Sequence, residues 1–148
     1  MAVRREMFKR SGPLSAINSL LAFYGDLKET TMAKAEGSPD FNVGDLLARN
    51  ADGALVLYDS DAAAGEPEGE LVGIAGNHVP AGYEDSFGVR VIMAAWLVVE
   101  EINLELLGAG STVYDLIELD NVSGTVFPKE AFADRQVVQI RGIGTTAA

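Results

Sequence analysis

At 148 residues the chain is long enough for one domain with its own core plus an extension, and an apolar fraction of 48% excludes a wholly disordered protein. The absence of cysteine removes disulfides, thiol catalysis and thiolate metal sites together. The net charge of −11 is unevenly spread: residues 1–36 hold six basic and four acidic side chains, the remainder five and eighteen. Such an acidic body repels nucleic-acid phosphates and anionic lipid, so no direct nucleic acid and no membrane partner is expected. The longest apolar run, Val91 to Val99, ends in Glu100-Glu101, well short of the roughly 20 residues that cross a bilayer. No apolar h-region directly follows the basic start, so secretion is not expected either.

In chain order, the first element is a basic arm, Met1 to Arg10, closed by Ser11-Gly12-Pro13. Leu14, Ile17, Leu20, Leu21, Tyr24 and Leu27 then recur at helical spacing and predict an amphipathic helix. Gly25 weakens it by up to about 1 kcal/mol, so it ends or frays there. The apolar stripe can pack on the protein's own sheet or dock on a partner. Gly37-Ser38-Pro39 is a breaker, and divides an arm-and-helix segment (1–38) from a β-rich domain (39–148).

Beyond the breaker, short β-type runs alternate with Gly- and Asp-rich turns. Ala54 to Tyr58 follows the turn signal Asn50-Ala51-Asp52-Gly53, and Leu71 to Ala75 is a compact apolar run between the loops Asp61–Gly69 and Asn77–Gly88. Val89 to Leu107 reads as two strands turning near Ala94-Ala95, with Ile102, Leu104 and Leu106 alternating against polar neighbours. Leu116–Leu119 and Val137–Ile143 are further strand candidates, and Pro128–Asp134 suits two turns of helix. The fold class expected is mainly β with some α+β character: a small β-barrel or β-sandwich-like domain carrying an N-terminal arm and a short helix.

Catalytic chemistry is hard to assemble from these residues. His78 is the only histidine, so a usual zinc site cannot be built, and no Gly-x-Ser-x-Gly elbow supplies a nucleophile for a triad. His78 therefore reads as a loop histidine. Gly108-Ala109-Gly110-Ser111-Thr112 lacks the Gly-Lys-Ser/Thr ending of a phosphate-binding loop and reads as a connector. Asp59/Asp61, Glu66/Glu68/Glu70, Glu84-Asp85 and Glu100-Glu101 read as solvated faces that keep the protein soluble. Trp96 and Phe87 read as core. No catalytic residue, cofactor or metal is expected.

One ordered series of segments carries further information. Gly44-Asp45-Leu46-Leu47 is followed by Leu55-Val56-Leu57-Tyr58-Asp59, Leu71-Val72-Gly73-Ile74-Ala75, Val89-Arg90-Val91 and Val98-Val99-Glu100-Glu101. Lys129-Glu130-Ala131-Phe132-Ala133 and Val138-Gln139-Ile140 close it. Over residues 42–107 and 129–143 this succession resembles the head decoration (capsid cement) proteins of lambda-like tailed bacteriophages. The resemblance implies a non-enzymatic virion protein, made in the bacterial host cytoplasm. It implies a homotrimer on the outer surface of the expanded head, at three-fold and quasi-three-fold positions. There it would clamp the major capsid protein, with N-terminal arms reaching onto the shell. Arg4, Arg5, Phe8, Lys9 and Arg10 are the capsid-binding residues expected on that basis, against the plainer reading of a solvated basic terminus. Two features depart from the family pattern: the arm is long and partly helical, and residues 108–127 form an insertion. The alternatives are another trimeric virion component, such as a tail or fibre domain, and a small carboxylate-dependent hydrolase.

Overall fold

In the computed structural model, which describes residues 17–82, 88–120 and 122–144, one long strand organises the rest. A helical turn, α1 (Ile17–Leu20), leads directly into β1 (Leu21–Ala33). Then come β2 (Leu46–Arg49), β3 (Leu55–Leu57), β4 (Gly73–Ala75), β5 (Gly88–Val98), helix α2 (Val113–Glu118), β6 (Ser123–Phe127) and β7 (Val137–Arg141). The protein is mainly β, as its sequence predicts. Its seven strands form one antiparallel sheet, which is not closed into a barrel.

β1 runs along one edge of β5, from Leu21 opposite Leu97 to Ala33 opposite Gly88. The other edge of β5 is shared end to end. β4 pairs at Val91 and Ile92, and β7 pairs from Ala95 to Val98. β2 and β3 continue outward from β4, and β6 from β7. A single parallel bridge, Lys34 to Leu55, ties the end of β1 to β3. Lys34 itself is only 3% exposed. Its ammonium donates to the carbonyls of Val79 (3.3 Å) and Pro80 (3.2 Å) and lies 4.8 Å from the Phe41 ring centroid.

Two apolar clusters hold the sheet. Phe41, Leu47, Leu55, Ala75, Val79, Val89 and Val91 make one. The other contains Leu20, Leu46, Ile74, Ile92, Ala95, Leu97, Leu116, Val138 and Ile140 among others. Val91 and Leu97 are an even number of residues apart yet belong to different clusters, so β5 changes face between them.

That change of face explains one departure from expectation. Val89–Leu107 is not two strands turning at Ala94-Ala95; β5 passes through both alanines unbroken. The alternating Ile102, Leu104 and Leu106 lie in and beside two 3₁₀ turns, Val99–Glu101 and Leu104–Leu107.

The helix expected over residues 14–27 is also corrected. Within the described residues it is confined to α1, and residues 21–33 are strand. Pairing with β5 overrides the 3.6-residue spacing, and the cost shows as register irregularities between Leu21 and Glu29, where Asp26 adopts φ 62°. Residues on both sides of Gly37-Ser38-Pro39 therefore share one sheet.

Leu116–Leu119, expected as strand, falls largely in α2, nucleated by a Thr112–Asp115 capping box that turns Leu116 into the core. Pro128–Asp134 forms one 3₁₀ turn, Lys129–Ala131, rather than two helical turns. The segment 108–127 holds α2 and β6, and β6 pairs with β7 along its whole length.

Candidate functional site

Arg4, Arg5, Phe8, Lys9 and Arg10 lie outside the described residues, as does Phe87. Glu84 and Asp85 also lie outside the described residues. His78 Nδ1 is 2.9 Å from both the Phe41 carbonyl oxygen and Asn42 Oδ1, which ties the loop to the chain before β2 and is a structural role. Asp59 Oδ1 accepts the Asp61 backbone N–H at 2.9 Å and so shapes a turn. No group of three or more His, Asp or Glu residues able to hold a metal occurs among the described residues.

Glu100, Glu101 and Glu105 rim a groove of about 700 Å³ with Asp45 at its floor. Asp45 is 5% exposed, and both of its oxygens are engaged. Oδ2 accepts the Asn42 backbone N–H at 2.8 Å, and Oδ1 accepts the Asn103 side-chain amide at 2.9 Å. Those bonds tether the 3₁₀ turns to the start of β2. The carboxylate is a structural staple, with one hydrogen bond accepted on each oxygen.

The feature that stands apart is aromatic, and it forms on the sheet face turned away from the larger cluster. Trp96, expected in the core, is half-buried there at the centre of a ring cluster. Its place follows from strand parity, because its neighbours Ala95 and Leu97 point into the core. Cross-strand pairing sets Phe23 of β1 opposite Trp96, with centroids 5.6 Å apart and planes at 89°. Phe127, from the end of β6, stacks on the indole at 5.1 Å and 14°. Phe132 closes the cluster at 5.4 Å from Phe23 and 5.6 Å from Phe127. The Trp96 indole N–H donates to Asp26 Oδ2 at 3.4 Å.

Phe132 is brought in by a costly turn. Ala133 and Asp134 both have left-handed backbone (φ 53° and 67°), a conformation disfavoured for side chains with a Cβ. The Asp134 N–H donates to the Lys129 carbonyl at 3.0 Å and fixes the turn. Beside it lies a depression of about 360 Å³ whose wall includes Phe23, Val98, Phe132 and Val137, with Arg135 at the polar side. Phe23 is 46% exposed. Four rings drawn from three strands and a turn, held partly open to solvent, have the composition of a protein-contact surface.

Sequence reasoning missed this surface. Residues 23, 96, 127 and 132 show no periodicity among themselves and meet only through the β1–β5–β7–β6 register. No local pattern signals it: Phe23 lies within a helical period, Trp96 inside a continuous apolar run and Phe132 in a segment that suits helix.

Compared with protein-family models, with curated proteins and with solved structures, the chain has no match.

Proposed function

We propose that this chain is a decoration protein of a tailed-bacteriophage head: a non-enzymatic structural protein that binds the outer surface of the expanded capsid as a trimer and stabilises the shell. The observation that carries the reading is an ordering. Segments that resemble the decoration proteins fall, in sequence order, on or beside β2, β3, β4, β5 and β7 of a single sheet. Two properties support it. A basic segment (Arg4, Arg5, Lys9 and Arg10, with Phe8) precedes an acidic body, which suits an arm that binds an acidic protein surface. The buried Asp45, which lines the acidic groove, accepts a hydrogen bond on each oxygen and so joins the Asn42 backbone to Asn103, a structural use that disfavours the hydrolase alternative.

Trimerisation would present three arms at once, so individually weak contacts combine through effective concentration. The test is co-sedimentation of the purified chain with expanded capsids that lack it. Saturable binding in multiples of three per shell position supports the proposal. A stable trimer that ignores capsids moves the assignment to a tail or fibre component. Because β1 belongs to the sheet, the arm is tested by deleting residues 1–16 rather than 1–38. The shortened chain is expected to melt like the full one and bind capsids poorly, and equal binding would remove the arm from the mechanism.

A further inference from the structure

We infer that the aromatic face is the contact between copies of this chain, and that it receives the acidic β3–β4 loop, residues 59–70, of the neighbouring copy. This deepens the proposed function and rests on its trimeric part, not on the capsid.

The argument begins with charge. The described body is strongly acidic, yet the cluster is bordered by Lys28, Lys129, Arg135 and Arg141 against Asp26, Glu130 and Asp134. Lys28 pairs with Ala94, two residues from Trp96 and on the same face. Arg141 lies two residues beyond Gln139, the β7 partner of Trp96. Lys129 begins the turn that carries Phe132, and Arg135 lines the depression beside it. Around the rings, four cations thus stand against three carboxylates, in a protein whose net charge is −11.

The complementary surface is on the same molecule. Residues 59–70 carry Asp59, Asp61, Glu66, Glu68 and Glu70 and no Lys or Arg. Asp59, Asp61, Glu66 and Glu70 are exposed, and none of the five makes an ion pair with a described residue. The loop follows β3, at the far end of the strand order from β6, so one copy cannot present both surfaces at a single self-matching patch.

A contact between two different patches is head-to-tail and closes into a ring when the rotation permits, which is the geometry a trimer requires. Apolar rings at the centre and opposite charges at the rim are the usual division of labour at interfaces, the rings supplying most of the affinity and the charges the register.

Analytical ultracentrifugation of the full chain and three variants tests this. The wild type is expected to sediment as a trimer. Phe23→Asp, at a half-exposed position, is expected to raise the dissociation constant at least about tenfold with an unchanged far-UV spectrum. Lys129→Glu with Arg135→Glu is expected to weaken assembly, and adding Glu66→Lys and Glu70→Lys to that chain to restore it. Variants that assemble like the wild type, or charge reversal without rescue, overturn the interface while leaving a trimeric wild type intact. A monomeric wild type overturns both the interface and the trimeric reading. Variants that stay trimeric but no longer sediment with capsids reassign the face to the shell. If Phe23→Asp fails to fold, the charge-reversal series, confined to surface side chains, decides alone.

Discussion

Gly44 offers a sharp test of how this fold is held. It precedes β2 with φ +96°, donates its N–H to the Ala75 carbonyl at 2.9 Å and accepts the Asn103 N–H at 2.9 Å. A Cβ there would overlap the Glu101 carbonyl oxygen and lie 3.2 Å from its carbonyl carbon and 3.5 Å from the Ile102 Cα. All three are backbone atoms, so no side-chain rotation relieves the overlap. Gly44→Ala therefore combines two costs: about 1–2 kcal/mol for a Cβ in left-handed backbone, and about 2 kcal/mol for pushing the 3₁₀ turn off the sheet. At about 3 °C per kcal/mol for a domain of this size, the melting temperature should fall by roughly 10 °C.

Two control glycines separate the costs. Gly53 has φ +85° with open space around it, so Gly53→Ala carries the conformational cost alone, about 3–6 °C. Gly25 has open space and no left-handed φ, so Gly25→Ala should change stability by less than about 1 kcal/mol. Thermal melts followed by circular dichroism, checked by urea unfolding, provide the ranking. A Gly44→Ala protein melting within about 2 °C of Gly53→Ala would refute the argument that the Glu101 backbone is packed against this glycine.

Three further outcomes are expected. Gly73→Val should unfold or severely destabilise the protein, by about 3 kcal/mol or more, because its Cβ would strike Val91 Cγ1 and sit 2.9 Å from the Ile92 carbonyl oxygen; an unchanged urea midpoint contradicts that. Asp45→Ala strands the Asn42 N–H and the Asn103 amide and should cost about 2–3 kcal/mol, read by the same unfolding curves. Tyr58 is 9% exposed, and burial, aided by the charge of Asp59, holds its phenol pKa above the ordinary 10.0. The folded state thus keeps the proton more tightly than the unfolded chain, and the associated stability is present below about pH 10 and lost as pH rises through the folded value. Melting temperatures of Tyr58→Phe and wild type should run parallel up to about pH 9 and diverge above it, the wild type falling faster; parallel curves throughout would count against the burial.

The sequence was most legible where one physical rule acted alone. Leu55–Leu57, Gly73–Ala75 and Val137–Arg141 are short apolar runs between turn residues, and each is a strand close to its expected bounds. Legibility failed where two rules competed. Residues 14–27 satisfy a helical period, but residues 21–33 gain a full antiparallel ladder with β5, which no local pattern announces. The face change within β5 falls inside the continuous apolar run Val91 to Val99, where the register with β1 shifts but the strand does not end, so it looks locally like a turn at Ala94-Ala95. Leu116 is buried in helix instead of strand because Thr112 and Asp115 cap the segment, a signal present in the sequence and overlooked. The aromatic face belongs to a third kind: its residues are ordinary until the register of four strands is known.

The pairing of β1 with β5 also determines how the molecule bears load. The chain enters at Leu21, and β1 lies antiparallel along β5 for 13 residues. Tension applied to the N-terminus along the strand axis shears that ladder, so its rungs resist together. Tension applied across the axis peels them one at a time. The irregular register between Leu21 and Glu29 lies at the pulled end, with the regular pairs from Glu29 to Ala33 behind it. Under such tension β1 yields first between Leu21 and Glu29 and holds where the pairing becomes regular, so strain at its start is absorbed before the rest of the strand is lost.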